Sequence, residues 1–206
     1  MVINSLFWFV LALIFAAIEC EAEGKDGWAE KAPTWYRTRG WAARLYGMVM
    51  SGKPLTGYHL FMFFMPIMIF HSQFFLGVAW SPSRELLAWA LYFAWCPIWD
   101  FVWFVLNPYY GIRNFKKDKV WWHSKSYWVF GLFPVDYLTG WVVSAGLALV
   151  AGCLAHRLQI FYAHLGMMGV FLLGVLVTIV VVAPVYKHWY WKMRQSDDRD
   201  IAGIFH

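Results

Sequence analysis

The sequence predicts an all-α integral membrane protein, a single bundle of five transmembrane helices. Two observations carry that expectation. Hydrophobic residues make up 61% of the 206-residue chain and mean hydropathy is +0.51, whereas a soluble domain is roughly 45–50% apolar. Fifteen of the 17 Lys and Arg residues also fall at one end of the bundle if the apolar runs cross the membrane alternately. The length suits one membrane domain over 1–206.

The five spans are placed at about 2–19, 57–80, 85–106, 134–155 and 159–183. The first lacks a basic leader, and Ile18-Glu19-Cys20 is a poor cleavage site, so it is read as a retained helix rather than a signal peptide. The stretch 34–50, TWYRTRGWAARLYGMVM, mixes Trp, Leu and Met with Arg. It is read as an amphipathic segment lying in the interface. The second span opens after Gly52-Lys53-Pro54. The third ends sharply at Asn107-Pro108-Tyr109-Tyr110-Gly111. Gly140 and Ser144 in the fourth span, and Gly166, Gly169 and Gly174 in the fifth, are spaced for close helix packing. The tail 184–206 begins with an aromatic-basic collar, YKHWYWKMR.

Charge orients the bundle. Residues 20–56 carry six Lys or Arg, 107–133 five and the tail four; the other side has only Arg84 and Arg157. Positive charge stays in the cytoplasm, so the expected topology is N-terminus outside and C-terminus inside, in a plasma (inner) membrane. The net charge of +5 is scattered over short loops. No nucleic-acid partner is expected; membrane lipids, and other membrane subunits, are. Cys20, Cys96 and Cys153 have no CxxC spacing, so neither a disulfide framework nor a zinc knuckle is inferred.

Asp100 is the most informative residue. It is the only charge in Leu86–Leu106, LLAWALYFAWCPIWDFVWFVL. A central carboxylate in such a helix costs ~2.5–3.5 kcal/mol on insertion scales. Cys96, Asp100 and Asn107 share one helix face, and Pro97 frees the carbonyl of Phe93. That face is expected to look inward, because irregular backbone in a membrane must be covered by protein or water.

Other polar groups fall at the same level: Glu19 and Glu23 at i, i+4, His59 at the start of the second span, His123 in the following basic loop, and Asp136 with Tyr137 at the start of the fourth. Carboxylates with neutral imidazoles are a ligand set for Zn²⁺ or non-haem Fe²⁺. The expected ligands are His59, His123 and Asp100. Asp100, Glu19, Glu23 and Asp136 are the candidate catalytic carboxylates, as further ligand or general base. No HExxH or ExxH spacing accompanies them. His71 and His164 could bracket a haem. A lone histidine on an apolar helix is more often a hydrogen-bonded bundle residue, and that is the expectation for both.

The leading functional expectation is a small membrane-embedded enzyme whose site opens to the cytoplasmic leaflet and acts on a lipid or other apolar substrate. The alternatives are a non-catalytic subunit of a larger membrane complex and a component of a proton or ion pathway.

Overall fold

The computed structural model describes residues 2–198. Among the described residues, five helices are long and apolar enough to cross a membrane. They are α1 (Val2–Glu23), α3 (Gly57–Phe75), α4 (Pro82–Leu106), α5 (Val135–Leu154) and the continuous run from Gln159 to Gln195. A short helix α2 (Trp41–Val49) lies between the first two.

The boundaries correct several expectations. α1 runs on to Glu23, one turn past 19, which brings both of its inner glutamates onto a helix. α3 stops at Phe75 instead of 80, where Gly77 at φ 97 takes the left-handed conformation that turns the chain. α4 starts early because Ser81 caps it, its hydroxyl accepting the Arg84 N–H at 3.3 Å, and Pro82 fits the first turn. The fifth span continues beyond 183. It comprises α6 (Gln159–Val177), a π-helical turn over Thr178–Val182, and α7 (Ala183–Gln195). The first part of the expected tail is therefore helix. Residues 199–206, with Arg199, lie outside the described residues, as does Met1.

α4 is the central helix. More than half of its most apolar window is buried, against a third or less in the others. Its residues Trp95, Ile98, Trp99, Val102 and Trp103 form the core with Phe9, Phe15 and Phe70. α5 packs closely on it because Gly140 has no side chain: a Cβ there would sit 3.0 Å from Pro97 Cγ and 3.2 Å from Phe93 O. One turn on, Ser144 Oγ donates to Ala90 O at 2.7 Å, and Trp141 Nε1 donates to Ala94 O at 3.2 Å. Trp95 Nε1 ties α4 to α1 by donating to Trp8 O at 2.8 Å. In the fifth span Gly174 receives the Phe9 ring, while Gly169 faces open space.

The loops at one end of the bundle are ordered. Strand β1 (Tyr36–Arg37) pairs antiparallel with β2 (Leu55–Thr56). This brings the α2 segment back to the start of α3. Strands β3 (Trp128–Val129) and β4 (Phe133–Pro134) form a hairpin whose tip, Phe130 and Gly131, has positive φ at both residues. Asn107 ends α4 with its Oδ1 accepting the Tyr109 N–H at 2.9 Å, and its Nδ2 donates to Gly24 O at 2.7 Å.

Within 34–50, α2 exposes Trp41, Leu45, Met48 and Val49, which share one face by their spacing. Arg37, Arg39 and Arg44 are exposed beside them. Tyr127, Phe130 and Leu132 at the hairpin are exposed too.

Candidate metal centre

The site forms where α1 ends, α3 begins and α4 approaches its C-terminus. Glu19 and Glu23 are one turn apart on α1 and face the core, both nearly out of solvent. Glu21 between them points outward and pairs with Arg194 at 2.8 Å.

His59 arrives from α3, and its placement is local chemistry. Thr56 caps α3, its Oγ1 accepting the His59 N–H at 3.1 Å. The same oxygen lies 2.9 Å from His59 Nδ1. A hydroxyl oxygen can accept twice. In the tautomer that donates from Nδ1 to Thr56, the Nε2 lone pair faces Glu23 Oε1 at 3.5 Å; in the other, Nε2–H points toward that oxygen. Trp28 stacks on the imidazole, centroids 3.9 Å apart. Its indole N–H is fixed on Pro54 O at 3.0 Å.

The loop from Gly24 to Ala29 closes over this pair. It turns through positive φ at Gly24, Gly27, Trp28 and Ala29. Gly27 is required there, since a Cβ would lie 2.3 Å from the Trp122 ring. The turn delivers the Ala29 N–H to Glu23 Oε1 at 2.6 Å.

One ligand atom from each of Glu19, Glu23 and His59 lies within 4.8 Å of the other two. They are the one such group of His, Cys, Asp and Glu among the described residues. They line a small cavity of about 30 Å³ together with Asp100, Cys96 and the rings of Trp28, Phe63, Trp99, Trp103 and Trp122. That is room for a cation or one or two water-sized groups.

The remaining sequence candidates divide around this group. Asp100 reaches the cavity wall, and its Oδ2 accepts from His123 Nε2 at 3.1 Å and from the Tyr137 hydroxyl. His123 is thus engaged with Asp100 and does not line the cavity. Burial, helped by the Lys53 ammonium, holds its pKa below the ordinary value against the pull of Asp100. That shift favours the neutral ring. Its Nε2–H faces the carboxylate, and its buried Nδ1 has no hydrogen-bond partner.

Asp136 stands apart from the cavity. It accepts from Ser51 Oγ at 3.0 Å and Ser126 Oγ at 2.8 Å, and lies 3.9 Å from Lys53 Nζ. Its visible work is to clamp the loop after α2 to the hairpin. Lys53 is buried, and its ammonium sits 5.0 Å from the Trp28 ring centroid. Burial lowers its pKa, opposed by Asp100 and Asp136.

At the other end, His71 bonds Ile67 O at 2.7 Å and Glu85 Oε1 at 3.1 Å. His164 Nε2 contacts Ser144 Oγ at 2.7 Å. Each is engaged with a bundle neighbour.

Thr56 and Trp28 carry no role in the sequence reading. Thr56 was detectable, because a Thr immediately before a helix start is a capping signature. Trp28 lies in an irregular loop with no periodicity to place it.

No protein-family model, no curated protein and no solved structure matches this chain.

Proposed function

We propose that this protein is a small membrane-embedded metalloenzyme that uses Glu19, Glu23 and His59 to hold a single Zn²⁺ or non-haem Fe²⁺. The observation that carries the reading is the convergence of two buried carboxylates and an imidazole nitrogen on one point. Two carboxylate charges held within 4.8 Å of each other would repel by roughly 3 kcal/mol or more at an effective dielectric near 20. In the tautomer protonated at Nδ1, His59 Nε2 adds a further electron pair facing them. A divalent cation at the centre turns each of these repulsions into a bond. Three protein ligands with a fourth position left for water or substrate is the pattern of catalytic zinc.

The metal would supply Lewis acidity and an activated water. The chain's own residues do the rest. Thr56 fixes the His59 tautomer and ring plane, and the Ala29 N–H orients Glu23. Asp100 faces the cavity as the candidate base, held by His123 and Tyr137. The aromatic walls would keep water away from the reacting end of an apolar substrate.

The exposed apolar face of α2, the hairpin tip and the arginines near them support an interfacial setting at the same end. With the charge bias of the loops they support N-out, C-in topology in a plasma membrane, with the site in the cytoplasmic leaflet and lipid as substrate.

A proton pathway is the second reading, favoured by the chain from Tyr137 through Asp100 to His123. Metal titration separates the two. Chelator-stripped protein is expected to bind about one Zn²⁺ or Fe²⁺ per chain. Glu19→Gln, Glu23→Gln and His59→Ala should each weaken binding by more than the ~10–100-fold typical of outer-shell changes. Asp100→Asn should keep the metal. Binding that survives all three ligand changes would sink the metal reading. A pH-linked flux in liposomes that Asp100→Asn abolishes would then support the second.

A further inference from the structure

We infer that Trp99 and Trp103 are recognition donors, and that their indole N–H groups take the uncharged carbonyl oxygen of a lipid ester. The inference rests on the substrate site proposed above and names what enters it.

Trp99 and Trp103 lie one turn apart on α4 and are 2% and 3% exposed. Both line the same cavity as Glu19, Glu23, His59 and Asp100. Both Nε1 atoms are buried and neither closes a hydrogen bond of good geometry; that of Trp103 has no acceptor at all, and that of Trp99 leans toward the Glu19 carboxylate. Elsewhere the fold satisfies its indoles: Trp28, Trp95, Trp128 and Trp141 each donate to a backbone carbonyl. A buried indole N–H normally finds an acceptor. The two that close no bond of good geometry are both at the cavity.

The surroundings select the acceptor. Three carboxylates line the space against the two positive charges of the proposed cation, so a phosphate or carboxylate headgroup would add to an excess of negative charge. A hydrocarbon would leave both donors unpaired. A neutral carbonyl has two lone pairs and can accept from both indoles. A cavity of about 30 Å³ takes the carbonyl end of such a molecule and excludes its chain. The carbonyl would also stand beside the proposed Lewis acid, where polarising it is useful chemistry.

The test is an NMR titration of ¹⁵N-tryptophan-labelled protein in nanodiscs, followed at the indole N–H signals. Trp99→Phe and Trp103→Phe assign the two resonances, with Trp95→Phe as a control. The probes are methyl decanoate, decane and decanoate. Methyl decanoate is expected to move the Trp99 and Trp103 signals downfield in a saturable way, while decane and decanoate leave them in place. No shift with the ester, or an equal shift with decane, overturns the inference. So do signals already at hydrogen-bonded positions that the ester does not change, because they mean a bound water only. Metal content is measured on the same samples. Full metal with no ester response defeats this inference alone. An ester response without metal defeats the metal reading and leaves the indole donors standing.

Discussion

His123 shows what burial does to a single group in this protein. Its imidazole is almost fully enclosed, it donates to Asp100, and its pKa lies below the ordinary value near 6.5. Between those two values the unfolded chain binds a proton that the folded chain refuses. Stability from this group is therefore complete above about pH 6.5 and is lost as pH falls toward the folded value, at about 1.4 kcal/mol per pH unit. Thermal unfolding in detergent should show the midpoint dropping below pH 6.5, and His123→Gln should flatten that slope. A wild-type midpoint independent of pH between 7 and 5 would contradict the assignment. Asp100 raised the same question at sequence level, as a charge in an apolar run that needed a partner. The partners are His123 and Tyr137, with Lys53 as the nearby cation that lowers its cost. That a partner exists was legible from hydropathy. Which one was not, because residues 107–134 fold back through turns whose geometry no periodicity encodes.

At the scale of helices, close approach is set by where a side chain is missing. Gly140 faces Pro97 and the Phe93 carbonyl, Gly174 faces the Phe9 ring, and Gly169 faces nothing. These look alike in sequence, since small-residue spacing marks a candidate face without saying what lies opposite. Gly140→Ala forces Pro97 or α5 to shift and should cost ~1–3 kcal/mol. Gly174→Ala would put its Cβ 2.8 Å from three atoms of the buried Phe9 ring and should cost at least as much. Gly169→Ala should be neutral or slightly stabilising, because alanine is the better helix former. Melting temperatures of the three variants in one detergent check the order, and a Gly169→Ala loss as large as that of Gly140→Ala would refute it. The long elements themselves were readable because apolar runs of membrane-spanning length have few alternatives. Their ends shifted where a cap or a turn decided the matter. Ser81 starts α4 early, Gly77 stops α3 early, and α1 runs on through Glu23.

For the whole molecule, the feature that matters is which groups lie together along the bundle axis. The buried acids, the ordered loops and most of the basic residues share an end. Proposed N-out, C-in orientation puts that end in the cytoplasm and the turn at 76–81 outside. In a Cys153→Ser background, since Cys153 is an exposed thiol at that end, an Ala79→Cys variant should react with a membrane-impermeant maleimide on intact cells, and Ser196→Cys only after lysis. The reverse pattern would invert the topology. The expected ligand set shows the limit of reasoning from depth alone. Depth brought Glu19, Glu23, His59, His123, Asp100 and Asp136 to one level. It could not tell that the Gly24–Ala29 loop would seat Trp28 on His59 and direct Glu23 toward it. Nor could it tell that Asp136 would be taken up by Ser51, Ser126 and Lys53.

The most direct measurement is X-ray absorption at the metal edge of zinc-loaded protein in detergent. A first shell of oxygen and nitrogen at about 2.0–2.2 Å is expected, with outer-shell scattering from one imidazole and no sulfur. His59→Ala should remove the imidazole contribution, and Cys96→Ser should change nothing. Two imidazoles in the shell would bring His123 back as a ligand and contradict the centre at Glu19, Glu23 and His59. A sulfur scatterer at about 2.3 Å would contradict it equally.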